Sequence, residues 1–287
     1  MGVARADSLE DLLGPREIAV GEALRAGATG STSIGLNPAG MPLNRELVFE
    51  GGYGYRASDS ASLIGVSACD STNAAPGCFF YDYAGASPEL TGMSGTTTTH
   101  IMGGTIARAL VPRISVGLTT KYFRHSSSMT MDGMDEAVTE KDSGFVWDLG
   151  ATVRVTEMIN FGVSGQNLFG AESDHFPRAV GGGVFARPIP MLSLSFDSRW
   201  KTDGEGARYG GGGELFIRAG SNGIPIRIGG LHDSGLGASY ITGGIGIANL
   251  KWGLDVGARR GMSGTDETLV LASMRFYGPR MAAPGLE

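Results

Sequence analysis

The sequence predicts an all-β protein, a transmembrane antiparallel barrel of about fourteen strands running up and down in chain order. Three observations carry this expectation. From residue 45 onward the chain is a train of segments of about ten residues in which apolar and polar side chains alternate. Glycine contributes 48 of 287 residues, more than twice the usual share of about 7%, and has no collagen period. Within alternating segments, glycine marks bulges, bends and close backbone approach. No run of about 18 or more apolar residues occurs, which excludes a transmembrane helix. Alternating barrel strands instead keep the mean hydropathy near zero, and here it is +0.01. The net charge of −6 is modest for the length and gives no basic surface for nucleic acid.

The first element is an Ala- and Gly-rich lead with a helical look, ending at the break "STSIGLNPAGM". Leu9, Leu12 and Leu13 make one helical face and Val20 with Leu24 another, with Gly14 and Pro15 between them. Ala4, Arg5 and Ala6 before Asp7 resemble the end of a secretory signal whose apolar part is absent or removed; coincidence of common residues explains them equally well. Met1, Gly2, Leu286 and Glu287 are left out of the fold reading.

Strands are expected near 45–56, 60–69, 78–84, 96–109, 113–125, 144–155, 158–168, 177–187, 190–201, 207–219, 224–232, 237–247, 249–260 and 267–277. In "RELVFEGGYGYR", Phe49, Tyr53 and Tyr55 oppose Glu46 and Glu50, and in "MLSLSFDSRW", Leu194 and Phe196 oppose Ser195, Asp197 and Arg199. Short turns such as "RPIP" and "IAN" alternate with longer polar stretches such as "HSSSMTMDGMDEAVTEKDSG" and "FGAESDHF", the pattern of short periplasmic turns and longer external loops.

Cys69 and Cys78 flank the turn-rich octet "DSTNAAPG" on the short-turn side. Strands ending and starting there bring them to disulfide distance, implying an oxidising compartment such as the periplasm. The alternative is two separate buried thiols; the spacing is too long for a CxxC pair.

A soluble β-sandwich also needs alternating strands. Its polar face meets bulk water and is rich in Lys, Glu and Thr, whereas here that face is mostly Gly, Ser and Thr with scattered Arg and Asp. Trp147, Trp200, Trp252, Tyr122 and Tyr277 lie near segment ends, where an interfacial girdle sits.

"NPAGM", "VGLTTKYF", "WDLGATVRVTEMINFGVSGQNL" and "FPRAVGGGVFA" in this order resemble the superfamily of the long-chain fatty-acid transporter FadL and its relative PorV, over about residues 18–277. The resemblance implies a fourteen-stranded outer-membrane barrel of a Gram-negative bacterium with an N-terminal hatch folded into the lumen, and assigns Asn37, Pro38 and Ala39, followed by Gly40, to the hatch motif. It implies a plug over 1–44, a barrel over 45–277 and a periplasmic tail over 278–287. "TLVLASMRFY" resembles an assembly signal, with Phe276 as its terminal outward aromatic. The chain is short beside the transporters, and its expected lumen is polar.

Projected inward, the strands carry Glu46, Glu50, Lys121, Asp148, Arg154, Asp197, Arg199, Arg208, Glu214, Arg218, Arg227, Lys251, Asp255, Arg259 and Arg275. Such charges must be paired or wet, so ladders across neighbouring strands are expected, Asp197 or Arg199 with Arg208 or Glu214 and Asp255 with Arg275. Leu24, Ile34, Leu36 and Met41 are candidate contacts for a ligand or for the plug itself.

Enzymatic patterns are absent from the sequence. His100, His125, His175 and His232 are scattered without HExxH spacing, and "GVSGQ" lacks the last glycine of a nucleophile elbow, with Ser164 pointing into the lumen. "DGMDE" at 132–136 lacks the calcium-loop register. No catalytic residue, metal or cofactor is expected. Two functions stay open: passive uptake of a small hydrophobic molecule, or a plugged platform for envelope proteins in secretion or gliding motility. Outer-membrane lipid is the partner common to both.

Overall fold

The computed structural model describes residues 13–90, 93–131, 136–204 and 206–280. Two short helices, α1 (Pro15–Ala19) and α2 (Thr32–Leu36), and a 3₁₀ turn (Pro38–Leu43) precede the strands. The strands are β1 (Glu46–Arg56), β2 (Ala61–Asp70), β3 (Gly77–Ala86), β4 (Glu89–Leu90), β5 (Met93–Val111), β6 (Ile114–Met131), β7 (Ala137–Arg154), β8 (Ile159–Gly170), β9 (Ala179–Ile189), β10 (Leu192–Lys201), β11 (Ala207–Ala219), β12 (Asn222–Asp233), β13 (Ala238–Ala248), β14 (Trp252–Ser263) and β15 (Thr268–Arg280). β4 is a two-residue appendage paired with the start of β5. The other fourteen strands form one antiparallel wall, each bonded to its chain neighbour, with β3 on β5 and β1 on β15 closing the ring. Closure leaves the wall no free edge.

The wall shows why the alternation exists. Phe49, Val66, Phe145, Phe196, Ile228 and Phe276 are at least half exposed or nearly so on the outer face, while their neighbours in sequence turn inward. A belt of this extent is stable only against hydrocarbon, which removes the two-sheet sandwich from consideration. Among the described residues no helix is long and apolar enough to cross a membrane.

Three elements depart from the expected pattern. The polar stretch after His125 was expected as an external loop, but β6 continues to Met131 and β7 begins at Ala137. Ser126, Ser127 and Ser128 face Thr98, Thr97 and Thr96 across the ladder, where small hydroxyl side chains support pairing; polarity there signals an exposed strand pair. Residues 132–135 of "DGMDE" lie outside the described residues. β15 runs past Tyr277 to Arg280. The third departure is in the lead, where Val20 and Leu24 share no helical face. The left-handed Gly21 (φ 70°) and Glu22 (φ 61°) end the helical run after α1. Leu9 and Leu12 lie outside the described residues.

Residues 13–44 pass inside the ring of strands. α1 packs on β12, β13, β14 and β15, and the 3₁₀ turn packs on β5, β6 and β7 across the lumen. Val20, Leu24, Ala26, Ala28 and Leu36 form a buried apolar cluster with Phe185 of the wall. Cys69 and Cys78 stand opposite each other on β2 and β3 and form a disulfide.

Candidate functional site

The break at Asn37 is where the inner segment meets the wall. Pro38 pre-sets φ for the 3₁₀ turn and keeps Asn37 extended, at φ −160°. The fully buried Asn37 amide then works in two directions. Its Nδ2 donates to Arg25 O (2.9 Å), Ala151 O (3.3 Å) and Thr152 Oγ1 (3.1 Å), and its Oδ1 accepts from the Ala39 amide (3.1 Å). Ser115 Oγ donates to Ala39 O at 2.6 Å from β6. Gly40 lies against the Ala28 backbone, with no room for a Cβ.

Wall glycines make this approach feasible. A Cβ on Gly150 would overlap Asn37 Oδ1, one on Gly162 would lie 2.6 Å from Arg25 O, and one on Gly229 would lie 2.6 Å from the Val20 carbonyl carbon. Much of the glycine excess on the inner face is therefore a flat bed for a second chain segment.

Arg25 is the centre of the polar contacts. Its backbone amide donates to Asp197 Oδ2 (2.8 Å), and its Nη1 donates to Leu36 O (2.8 Å) and Ser164 Oγ (2.6 Å). Ser164 Oγ donates to Leu36 O at 2.7 Å, and Gln166 Nε2 to Gly35 O at 2.6 Å. Asp197 thus pairs with Arg25, 3.8 Å from its Nε, and not with Arg208 of the neighbouring strand. Ladder reasoning across neighbouring strands misses a partner that arrives from inside the lumen.

The remaining charges form two networks. The lower one runs from Arg16 to Glu214 (3.4 Å), Arg227 (2.7 Å), Asp255, Arg275 (2.8 Å), Glu50 (3.2 Å) and Ser31, so it starts and ends on the inner segment. In the upper one, Glu22 meets Arg259 (2.7 Å) and Arg208 (3.4 Å), which hold Glu267 and Asp233. Lys121 pairs with Asp148 at 2.8 Å. Glu46 is buried, with its amide donating to Ser71 Oγ (2.9 Å), and Arg199 lines the upper cavity. Arg154 closes β7 at a turn, Arg218 is exposed at the lower mouth, and Lys251 sits in the β13–β14 turn; these three stand at the rim, beyond the enclosed lumen.

Among the described residues, an outer, a middle and a lower cavity follow one another along the barrel. The outer one, about 120 Å³, lies between Ile101, Phe176, Arg199 and Leu231. Phe176, from the β8–β9 loop, roofs it by stacking on Phe123 at 4.0 Å between centroids, and His175 stacks on His125 beside it at 3.7 Å. The middle cavity, about 100 Å³, lies between α1, α2 and the inner faces of β1, β2, β3 and β15. The lower mouth, about 540 Å³, is lined by Arg16, Glu46, Arg218 and Tyr277. Leu13, Ile34, Gly35, Phe80 and Asp82 line both outer and middle cavities and form the partition between them. Ser31 lines both the middle cavity and the lower mouth. Burial first, and the Glu50 charge second, push the Glu17 carboxyl up beside the middle cavity.

Ile34 stands at the partition, Leu24 and Leu36 in the apolar cluster, and Met41 against Val48 and the disulfide. Arg25, Asp82, Phe80 and Phe176 were not singled out in the sequence. Arg25 carries a legible signal as a lone cation inside "EALRAGATG", and so does Asp82, an inward acid within "FFYDY".

Neither a protein-family model nor a curated protein matches the sequence. Solved structures do. The CymD monoaromatic hydrocarbon channel matches with a TM-score of 0.72 at 10% identity, covering 95% of this chain and 98% of that one. The toluene transporter TbuX of Ralstonia pickettii gives 0.72 at 13% identity, covering 94% and 98%. The toluene transporter TodX of Pseudomonas putida gives 0.66 at 10% identity, covering 92% and 97%. At such identities the likeness is one of fold: the chain shares the closed antiparallel barrel of these channels.

Proposed function

We propose that the protein is a passive uptake channel for a small hydrophobic molecule in the outer membrane of a Gram-negative bacterium. In this reading residues 1–44 are a plug, 45–277 the barrel and 278–287 a periplasmic tail, and Asn37–Gly40 latch the plug to the wall. The observation that carries it is the pair of small cavities in series, divided by Leu13, Ile34 and Phe80. Ligand sites are mainly apolar concavities, and each of these two, with apolar side chains such as Leu13, Ile34 and Phe80, is no larger than an engineered cavity of about 150 Å³ that holds one benzene ring. The structural neighbours are named as hydrocarbon channels and toluene transporters, in keeping with transport and not catalysis.

The wall ladder between β1 and β2 is unbroken from Leu47 to Arg56, so passage requires side chains and plug to move. The platform alternative draws no support from these neighbours. The test is uptake of labelled toluene into vesicles whose outer leaflet contains lipopolysaccharide, which slows unaided entry. Protein-containing vesicles are expected to fill several-fold faster than empty ones; equal rates would overturn the proposal.

A further inference from the structure

The middle cavity has an apolar wall and an unusual polar lining. Leu13, Leu63, Phe80 and Leu271 give it its apolar surface. Three acidic side chains, Glu17, Glu50 and Asp82, also line it, and among the described residues no Lys, Arg or His does. Two of the three have company. Glu50 is held by Arg275 at 3.2 Å and by Ser31, and Glu17 folds back over Gly14 at the start of α1.

Asp82 is different. It points inward from β3, opposite Gly65 of β2, where a Cβ would lie 2.8 Å from its Oδ1. Among the described residues its carboxylate has no hydrogen bond or ion pair. Lys121 shares the outer cavity with Asp82 and its charge reaches that carboxyl, but its ion pair is with Asp148 at 2.8 Å. Asp82 lines both cavities, so a molecule crossing the partition passes it.

We infer that Asp82 sets the specificity of the channel for small, ring-sized molecules that carry a hydrogen-bond donor, a hydroxyl or a protonated amine, and against carboxylates. The inference rests on the uptake reading above. A carboxylate left without a donor in an apolar cavity gains most from a ligand that brings one, and charge-assisted hydrogen bonds are among the stronger ones. In the middle cavity a fatty-acid carboxylate would meet three acidic side chains and, among the described residues, no cation. The volume of about 100 Å³ is below that of an engineered cavity of about 150 Å³ that binds benzene, so it leaves no space for a long chain beyond a single ring.

The test uses the full chain in detergent and four probes matched in ring size: toluene, benzyl alcohol, benzylamine and benzoate, with binding followed by ligand-observed NMR. Benzylamine and benzyl alcohol are expected to bind at least about tenfold more tightly than toluene, with benzoate weakest. Asp82→Leu should bring the donor-to-toluene ratio close to one. Asp82→Asn, which keeps the shape and an acceptor oxygen, should retain the preference for benzyl alcohol and lose the further advantage of benzylamine. Ratios unchanged in both variants, or benzoate binding as well as benzylamine, would overturn the inference. Toluene binding and uptake report separately on the channel itself: if toluene binds and enters while the ratios stay flat, the specificity claim alone falls.

Discussion

The lumen has two unlike sides. Along β6–β9 and β11–β14 the wall is paved with glycine, and the inner segment lies on it backbone to backbone, pinned by Asn37, Arg25, Ser115 and Ser164. Along β1–β3 and β15 the same segment meets the wall chiefly through apolar side chains, Leu13 and Ile18 against Leu63, Leu269 and Leu271, and the middle cavity opens between them. Glycines occur on both sides but do different work. Gly117 and Gly162 admit the backbone of the inner segment, whereas Gly52 and Gly65 line the middle cavity, Gly65 against the Asp82 carboxylate. The inner segment is therefore held by backbone and polar contacts on one side and by apolar side-chain packing on the other.

The contrast can be broken most severely at Arg25. Asp197→Ala leaves this buried guanidinium without its counter-ion, and breaking a buried pair costs about 3–5 kcal/mol. Thermal unfolding in detergent should shift down strongly, with new protease cleavage in the inner segment; an unchanged melting temperature would count against the gripped side. Asn37→Ala comes next. It strands the Ala39 amide and the Arg25 carbonyl, at about 1–3 kcal/mol for each group left unmade, and should expose residues 13–36 to protease. Matched glycine substitutions give the finest test. Gly150→Ala must displace the Asn37 side chain, an overpacking cost of about 1–3 kcal/mol, while Gly52→Ala, whose nearest neighbour is Ala272 O at 3.3 Å, should stay within about 1 kcal/mol of the parent. Equal losses at the two positions would erase the distinction between the sides.

The wall was legible in the sequence because its period is local: each strand announces itself by alternation, as in "MLSLSFDSRW", whose inward and outward residues fall where they were expected. The disulfide was legible for the same reason, from two strand ends and a turn. The inner contacts were less so. The pairing of Asp255 with Arg275 follows from neighbouring faces, with Gly246 of β13 leaving room beside Asp255, whereas Asp197 finds Arg25 at a separation of 172 residues. The chain between them carries no periodic signal of that encounter. The helical lead misled for a physical reason as well. Alanine and glycine there serve close packing against a glycine bed, and Gly21 and Glu22 break the helix where the backbone must pass Gly210 and Gly211. The polar strand tips of β6 and β7 were read as a loop because serine and threonine satisfy both descriptions.

The central claim is that movement at the partition of Leu13, Ile34 and Phe80 opens the route. Cysteines placed at Ile34 and Phe80 and joined by a short reducible cross-linker would fix that partition, with identically treated parent protein as the control for the native disulfide. The account predicts that toluene uptake into lipopolysaccharide-containing vesicles falls to the rate of empty vesicles on cross-linking and recovers on reduction. Uptake that continues undiminished through the cross-linked barrel would contradict it.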